Sequence, residues 1–228
     1  MKPLVLIPGF MCDGRLFEPQ IQGVHKTHDV TVAIPTESTL PDMAARILDD
    51  VPGKFALGGL SMGGILAMEI LRQAPDRITH LALMDTTPLA DAPANFAIRT
   101  RQISEVHAGQ LETVMRDELK PAYLVDSPRK SAIMDTCMSM AKSLGPDVFE
   151  AQSLALRDRA DLQASLANAP EKTLILYGAE DRLCPPERHH LMHSLAPHST
   201  LVEIEKAGHL PTLERPLTTT SAIQNWLA

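Results

Sequence analysis

Three residues far apart in the chain carry side chains that could together perform nucleophilic catalysis. Ser61 lies in the glycine-rich segment GGLSMGG, Asp181 in GAEDRL, and His209 near the end of the sequence. A serine hydroxyl becomes an effective nucleophile when a base removes its proton, and a histidine held by a carboxylate is a common base. We therefore predict a catalytic triad of Ser61, His209 and Asp181, in the chain order serine, aspartate, histidine.

The segment around Ser61 matches a motif with a specific geometry. Residues 59–63 read GLSMG and fit G-x-S-x-G, the nucleophile elbow, in which serine occupies a strained turn between a strand and a helix. Side chains at Gly59 and Gly63 would collide with neighbouring backbone, which explains the glycines. A glycine-rich packing turn or a phosphate loop is the alternative, but the Lys-Ser/Thr pair of a P-loop does not follow.

An acyl-transfer site also needs backbone donors for the developing oxyanion. The amide after the serine, that of Met62, opens the following helix, where the helix dipole favours negative charge. The second donor is expected from the loop after an early central strand. That loop contains Pro8 and Phe10, so we predict the Phe10 amide as the donor and the Met11 amide as the alternative.

Apolar runs that alternate with helix-like segments must position these residues. Strands are predicted at 4–7, 30–34, 55–58, 78–84, 173–177 and 200–204, and helices between them include 43–51, 65–73 and 187–195. Such alternation predicts an α/β fold with a mostly parallel central sheet of about six strands flanked by helices. The triad residues then meet at the carboxyl edge of the sheet.

The alternation is interrupted after the strand that ends at Asp85. From residue 89 to 168 only helix-compatible segments occur, at 94–106, 111–119, 129–143 and 148–159. We therefore predict a core of residues 1–88 and 169–228 and a helical insertion of residues 89–168. Its methionines, Met115, Met134, Met138 and Met140, have a spacing typical of core packing.

Composition narrows the classes of partner. With a net charge of −7 and a pI near 5.7, the chain offers no basic footprint for nucleic acid or an anionic membrane. Cys12, Cys137 and Cys184 form no zinc or CxxC spacing and are predicted to be free thiols, as in a reducing compartment. We expect a cytoplasmic protein, because no signal peptide or membrane span is apparent. A monomer or a homodimer is the expected oligomeric state.

Several residues compete for roles near the predicted site. Asp85 ends a neighbouring strand and is an alternative to Asp181 as the acid. The cluster His189, His190 and His193 could suggest a metal site, but it lacks an HExxH-type partner, and a solvated helix face explains it better.

Other side chains have plain structural interpretations. Cys12 and Cys184 lie close to the predicted site but occupy no elbow, so they are predicted to be small core residues. Gln152 and four arginines of the insertion are candidates for orienting the substrate, but surface or cap-core roles are favoured for them. The arginines are Arg99, Arg101, Arg157 and Arg159.

The sequence resembles the α/β-hydrolase superfamily over nearly its whole length. The matching pieces are LVLIPGF (4–10), GGLSMGG (58–64), LILYGAEDRLCPPE (174–187) and AGHLPTLERP (207–216). The resemblance implies that the insertion caps the serine, as in small esterases, lactonases, meta-cleavage-product hydrolases and proline-iminopeptidase-like proteins. It also implies a six-stranded sheet in the family order 4-3-5-6-7-8. Pro8-Gly9 stands where many relatives have His-Gly, so a side-chain hydrogen bond that braces the oxyanion loop is lost.

These observations together predict a serine hydrolase, most simply a carboxylesterase that acts on small esters through an acyl-enzyme. It would need water, and no metal or organic cofactor. Activity should fall on the acid side as His209 becomes protonated. The alternatives keep the same triad and cleave a lactone, an N-terminal amide or a C–C bond, or bind a ligand with little turnover.

Overall fold

A single parallel sheet forms the centre of the computed structural model, which describes all 228 residues. Its strands are β1 Lys2–Ile7, β2 His28–Val32, β3 Phe55–Leu60, β4 Ile78–Met84, β5 Thr173–Gly178 and β6 Thr200–Ile204. They lie in the order β2-β1-β3-β4-β5-β6, and every neighbouring pair is parallel. The predicted fold class and strand order are confirmed.

Helices cover both faces of this sheet. They are α1 Glu18–Val24, α2 Leu40–Asp50, α3 Met62–Gln73, α4 Ala94–Glu105, α5 Leu111–Thr113, α6 Lys130–Arg157, α7 Pro186–Leu195, α8 Pro211–Glu214 and α9 Pro216–Leu227. Helices α2 and α3 contact each other, as do α1 and α9. No helix of the structure is both long enough and apolar enough to cross a lipid bilayer.

The uninterrupted apolar strands supply two cores at once. Successive strand side chains point to opposite faces, so Val5 and Ile7 pack into one buried cluster with α2 and α3. Leu4 and Leu6 pack into the other, beside Ile223 and Trp226 of α9. Burial on both faces explains why residues 4–7 of β1 are all apolar instead of alternating with polar residues.

Between β4 and β5 the chain is helical, and this region fits a cap. Helix α6 is broken at Gly145, whose φ is 81° and ψ −179°, and Pro146 follows the break. The sequence predicted two helices separated at this point, since glycine tolerates such a backbone and proline cannot continue the preceding hydrogen bonds. Met115, Met138 and Met140 are buried, and Met134 packs against both cores.

Two elements differ from the prediction. Strand β2 spans His28–Val32, two residues earlier than expected, because its register follows Lys2–Leu6 of β1. Helix α9 was not predicted: its three successive threonines, Thr218 to Thr220, have low helix propensity. Burial of Ile223 and Trp226 against the sheet outweighs that local preference.

Candidate active site

Ser61 occupies the tight turn between β3 and α3 with φ 57° and ψ −117°, a strained backbone for a residue with a side chain. A Cβ on Gly59 would overlap the Gly63 carbonyl, and a Cβ on Gly63 would overlap the Ile7 carbonyl. The steric reason predicted for both glycines is therefore present in the structure. The turn keeps the Ser61 side chain on the wall of a cavity.

The structure brings Ser61, His209 and Asp181 into one hydrogen-bonded chain. Nε2 of His209 lies 2.8 Å from Oγ of Ser61, and Nδ1 lies 2.8 Å from Oδ2 of Asp181. Because an ionised carboxylate only accepts, the hydrogen of a neutral imidazole is on Nδ1, which leaves Nε2 to accept from the serine hydroxyl. Both ring nitrogens of His209 are thus engaged, and its side chain is fully buried.

Backbone amides hold the other oxygen of Asp181. Oδ1 accepts from the amides of Leu183 at 2.8 Å and Cys184 at 3.1 Å. Burial acts to raise the pKa of Asp181, but His209 and these amides outweigh it, and the pKa lies below its ordinary value. Asp181 therefore remains a carboxylate beside the imidazole.

Asp85, the competing acid, has a different partner. Its Oδ1 accepts from the Gly178 amide at 2.8 Å, and its side chain makes no hydrogen bond to His209. Burial, and then the negative charge of Asp181, raise the pKa of Asp85 well above its ordinary value. Burial therefore makes Asp85 hold its proton more tightly than an ordinary aspartate, and its φ of 44° belongs to the left-handed region.

The loop that carries His209 is held by two residues that sequence reasoning did not single out, Glu214 and Tyr123. Glu214 accepts from the Gly208 amide at 2.9 Å and the Leu210 amide at 3.1 Å, and its second oxygen accepts from Val125 at 2.9 Å. Tyr123 accepts from the His209 amide at 2.8 Å, and its ring meets the imidazole edge-on. The cap thus supports the histidine directly.

Of the predicted oxyanion donors, Phe10 is better placed than its alternative. The Met11 amide donates to Oε1 of Gln152 at 2.9 Å and is therefore occupied. The Phe10 amide donates to no group of the protein, and the Met62 amide begins α3, where no carbonyl of the helix can accept it. Both residues line the cavity beside Ser61.

Gln152 braces the oxyanion loop from the cap. This side chain is buried; while its Oε1 accepts from Met11, its Nε2 donates to the Pro35 carbonyl at 3.1 Å. The absence of His-Gly before Phe10 suggested an unbraced loop, but helix α6 supplies the bond from a residue 141 positions away. Sequence patterns do not reveal such a distant pairing.

The cavity beside Ser61 has a volume of about 320 Å³. Apolar and aromatic side chains of core and cap form most of its wall. The polar part of the wall is formed by residues of the segment 87–102 and by Arg159, which follows α6. A larger groove of about 500 Å³ lies among β5, β6 and α9 and contains none of the predicted site residues.

One group of potential metal ligands shares two residues with the predicted triad. Asp181, Cys184 and His209 each place one ligand atom within 4.8 Å of the others. However, burial and then the charge of Asp181 raise the pKa of the Cys184 thiol well above its ordinary value, which disfavours the thiolate that binds metals. The hydrogen bonds of His209 account for the same arrangement without an ion.

The solvated-face interpretation of the histidine cluster is wrong for His189. Its ring is fully buried and stacks on Tyr177, and Nε2 accepts from the Thr86 amide at 3.1 Å. Burial lowers the pKa of His189 to about 4, so the ring is neutral. His193 instead bonds Ser199 through Nδ1, so the two rings have separate structural roles.

The remaining candidates divide between core, surface and cavity. All three cysteines, Cys12, Cys137 and Cys184, are free as predicted. Cys12 and Cys184 are buried as predicted, and Cys137 is buried as well. Arg101 and Arg157 form ion pairs near the surface, whereas Arg99 and Arg159 line the cavity.

Comparison with known proteins identifies esterases among the similar sequences and structures. A pimeloyl-[acyl-carrier protein] methyl ester esterase of Aliivibrio salmonicida is 27% identical over 222 residues, which cover 91% of this chain and 85% of the relative. A thermophilic esterase from Thermogutta terrifontis, solved with malate bound, has a TM-score of 0.89 at 30% identity and covers 100% of this chain and 89% of its own.

An enol-lactonase from Burkholderia xenovorans has a TM-score of 0.84 at 19% identity, over 99% of this chain and 91% of its own, and shows the shared fold alone. The profile of the alpha/beta hydrolase family matches residues 4–222. That match begins within β1 and includes the rest of the six strands, the elbow and the loop that carries His209. The chain therefore belongs to the α/β-hydrolase family.

Proposed function

We propose that this protein is a serine hydrolase that cleaves small carboxylic esters through an acyl-enzyme. The observation that carries the proposal is the pair of 2.8 Å contacts from Ser61 through His209 to Asp181, at a cavity lined by Phe10 and Met62. The esterase names of the relatives support the same reaction class.

In the first half of the reaction, Oγ of Ser61 attacks the ester carbonyl while Nε2 of His209 takes its proton. The Phe10 and Met62 amides donate to the oxyanion that forms. Asp181 keeps the imidazole in the required tautomer and stabilises the imidazolium. Collapse of the tetrahedral intermediate breaks the bond to the alcohol, which leaves with the proton from His209.

The second half repeats these steps with water. His209 removes a proton from water as the oxygen attacks the acyl carbon, and the intermediate expels Ser61, which regains its proton. The products are a carboxylic acid and the free enzyme. Every proton is moved by the imidazole, so the reaction needs only the ester substrate and water.

The cavity favours a small substrate. Its volume of about 320 Å³ is at the lower end of the range of about 300–1,000 Å³ that is typical of small-molecule pockets. The curated relatives named as methyl ester esterases suggest a small alcohol as the leaving group. Short-chain methyl and p-nitrophenyl esters are therefore the substrates to test first.

Labelling with a fluorophosphonate tests the reactivity that this mechanism requires. We expect stoichiometric modification, located on Ser61 by peptide mass spectrometry, together with turnover of p-nitrophenyl butyrate. An unlabelled Ser61 without turnover would contradict the proposal and favour a ligand-binding role. Labelling with poor ester turnover but rapid cleavage of a lactone, an N-terminal amide or a C–C bond would change the substrate class and retain the nucleophile.

The bracing role of Gln152 leads to a separate expectation. Gln152→Met keeps the volume of the side chain but removes the acceptor for the Met11 amide and the donor to Pro35. Loss of one oxyanion donor commonly lowers kcat by about 100- to 1,000-fold, and an indirect displacement of the loop should lower it by about tenfold. KM should change little, because the oxyanion exists only in the transition state and intermediate.

Steady-state kinetics on p-nitrophenyl butyrate would measure this effect. Gln73→Met is the matched control, since Gln73 lies on α3 and bonds Pro41 and Glu69 away from the cavity. An unchanged kcat in Gln152→Met, with folding verified by circular dichroism, would show that the loop does not depend on this brace.

A further inference from the structure

The polar wall of the cavity beside Ser61 carries an excess of positive charge. Its ionisable members, besides the neutral Cys184 thiol and Tyr123, are Asp91, Arg99 and Arg159. Two guanidinium groups therefore face one carboxylate, which leaves one positive charge uncompensated. The acyl-enzyme mechanism proposed for Ser61 does not use this charge.

Each nitrogen of the Arg159 guanidinium has a partner within the protein. Its side chain is 8% exposed, and Nη2 lies 3.4 Å from Oδ1 of Asp91. Nε donates to the Leu89 carbonyl at 3.0 Å and Nη1 to the Leu156 carbonyl at 2.9 Å. All three nitrogens thus have partners, and Arg159 holds the beginning of the cap to the end of α6.

Arg99 has a different set of contacts. Nε donates to Oδ2 of Asp91 at 2.6 Å, whereas Nη1 and Nη2 donate no hydrogen bond within the protein. The side chain is 19% exposed, more than twice the exposed fraction of Arg159. Both NH₂ groups of Arg99 are therefore unpaired within the protein, on a residue that lines the cavity.

Asp91 orients this free end and cannot neutralise it further. Its Oδ1 also accepts from Nδ2 of Asn95 at 2.7 Å and from the Ala92 amide at 3.1 Å. Burial acts to raise the pKa of Asp91, but the bonds from Arg99 and Asn95 outweigh it and the pKa lies below its ordinary value. A buried, ionised carboxylate with hydrogen bonds at both oxygens thus fixes the guanidinium through Nε alone.

We propose that the Nη1–Nη2 end of Arg99 is a carboxylate-binding subsite, and that the preferred substrates are esters carrying a second, free carboxylate, such as half-esters of dicarboxylic acids. The paired NH₂ groups match the two oxygens of a carboxylate. A monoanion matches the single excess charge, whereas a phosphate dianion would exceed it. This inference rests on the proposed ester hydrolysis for the reaction and adds the class of substrate.

Kinetics with a matched pair of substrates tests the subsite. Wild-type protein should hydrolyse monomethyl glutarate with a higher kcat/KM than its neutral analogue, in which an amide replaces the free carboxylate. Arg99→Met should lower the ratio of the two kcat/KM values by about 10- to 100-fold, the usual effect of one charge-assisted bidentate contact. Most of the change should appear in KM, because the carboxylate is bound equally in ground state and transition state.

Arg101→Met is the matched control. Arg101 lies on the same helix, and its loss changes the net charge equally, but its guanidinium pairs with Glu105 and Glu118 at the surface. The substrate ratio should stay within about twofold of wild type in this variant, since exposed charges have weak, screened effects. A wild-type ratio near one, or an equal loss on both substrates in Arg99→Met, would overturn the inference.

A binding measurement separates this inference from the proposed function. Calorimetric titration of Ser61→Ala with monomethyl glutarate and with its neutral amide analogue needs no turnover, and monomethyl glutarate should bind more tightly only while Arg99 is present. If monomethyl glutarate binds in this way and no ester is hydrolysed by the wild-type protein, the subsite stands and the esterase proposal fails. If neutral esters are hydrolysed and monomethyl glutarate has no binding advantage over the amide analogue, the function stands and the subsite fails.

Discussion

Replacement of Ser61 by alanine should lower kcat/KM for p-nitrophenyl butyrate by about 10,000-fold or more. The variant loses the nucleophile, and only water attack assisted by the oxyanion amides would remain. The loss should appear in kcat, because the alanine removes no atom that binds the ground state of the ester. Initial rates at saturating substrate, with active-site titration of wild type, would measure it.

The backbone at position 61 requires a second variant. Alanine at φ 57° retains the strain of the elbow, whereas Ser61→Gly relieves it, so both variants should be inactive despite different stabilities. Ser194→Ala is the control, since this serine is exposed on α7 and bonds only the Leu191 carbonyl. Equal rates for wild type and Ser61→Ala would remove Ser61 as the nucleophile and the acyl-enzyme with it.

Asp181→Asn should lower kcat by about 10,000-fold, whereas Asp85→Asn should retain activity within about threefold. Asparagine at 181 removes the charge that stabilises the imidazolium, and its NH₂ group can select the wrong imidazole tautomer. Asparagine at 85 resembles the protonated form of the aspartate, which burial favours: it can accept from the Gly178 amide and tolerates a φ of 44°. Kinetics of the two variants on the same ester would rank the acids.

Asp85→Asn should also change the stability of the protein in a pH-dependent way. Because its pKa is raised in the folded state, Asp85 binds its proton more tightly there than in the unfolded chain. Stability therefore falls as pH rises from the ordinary range of an aspartate through the raised pKa. Asp85→Asn removes this loss, so its Tm relative to wild type should be higher near neutral pH than at about pH 4.

A reversed ranking would reassign the acid. If Asp85→Asn abolished activity while Asp181→Asn retained it, the acid that holds His209 during catalysis would be Asp85, despite the 2.8 Å contact between His209 and Asp181. Equal, small effects in both variants would contradict a histidine held by any carboxylate. Thermal denaturation of each variant would exclude misfolding as the cause.

Much of the architecture follows from local sequence signals. Continuous apolar runs, such as residues 4–7 of β1 and 81–84 of β4, identify strand segments buried on both faces, and their alternation with helices favours a parallel sheet. The glycines on either side of Ser61 identify the elbow, because only hydrogen fits where the backbones meet. Such features depend on neighbours in sequence, which is why they could be predicted.

The partners of the site residues depend on contacts between distant segments. Asp85 and Asp181 both end strands at the same sheet edge, and only the fold shows that Nδ1 of His209 meets Asp181. Likewise, no local pattern distinguishes the buried ring of His189 from the exposed histidine beside it. Helix α9 illustrates the same limit, since burial of its apolar face overrides weak local propensity.

The sequence by itself determined the fold class, the elbow and the three residues expected to act together, because strand burial and turn sterics are written in short stretches. Tertiary structure alone decided that Gln152 of the cap braces the loop after β1, and that both NH₂ groups of Arg99, a residue of the cavity wall, stay unpaired within the protein. Both arise where the cap meets the core, since packing there selects which polar atoms are paired and which stay open.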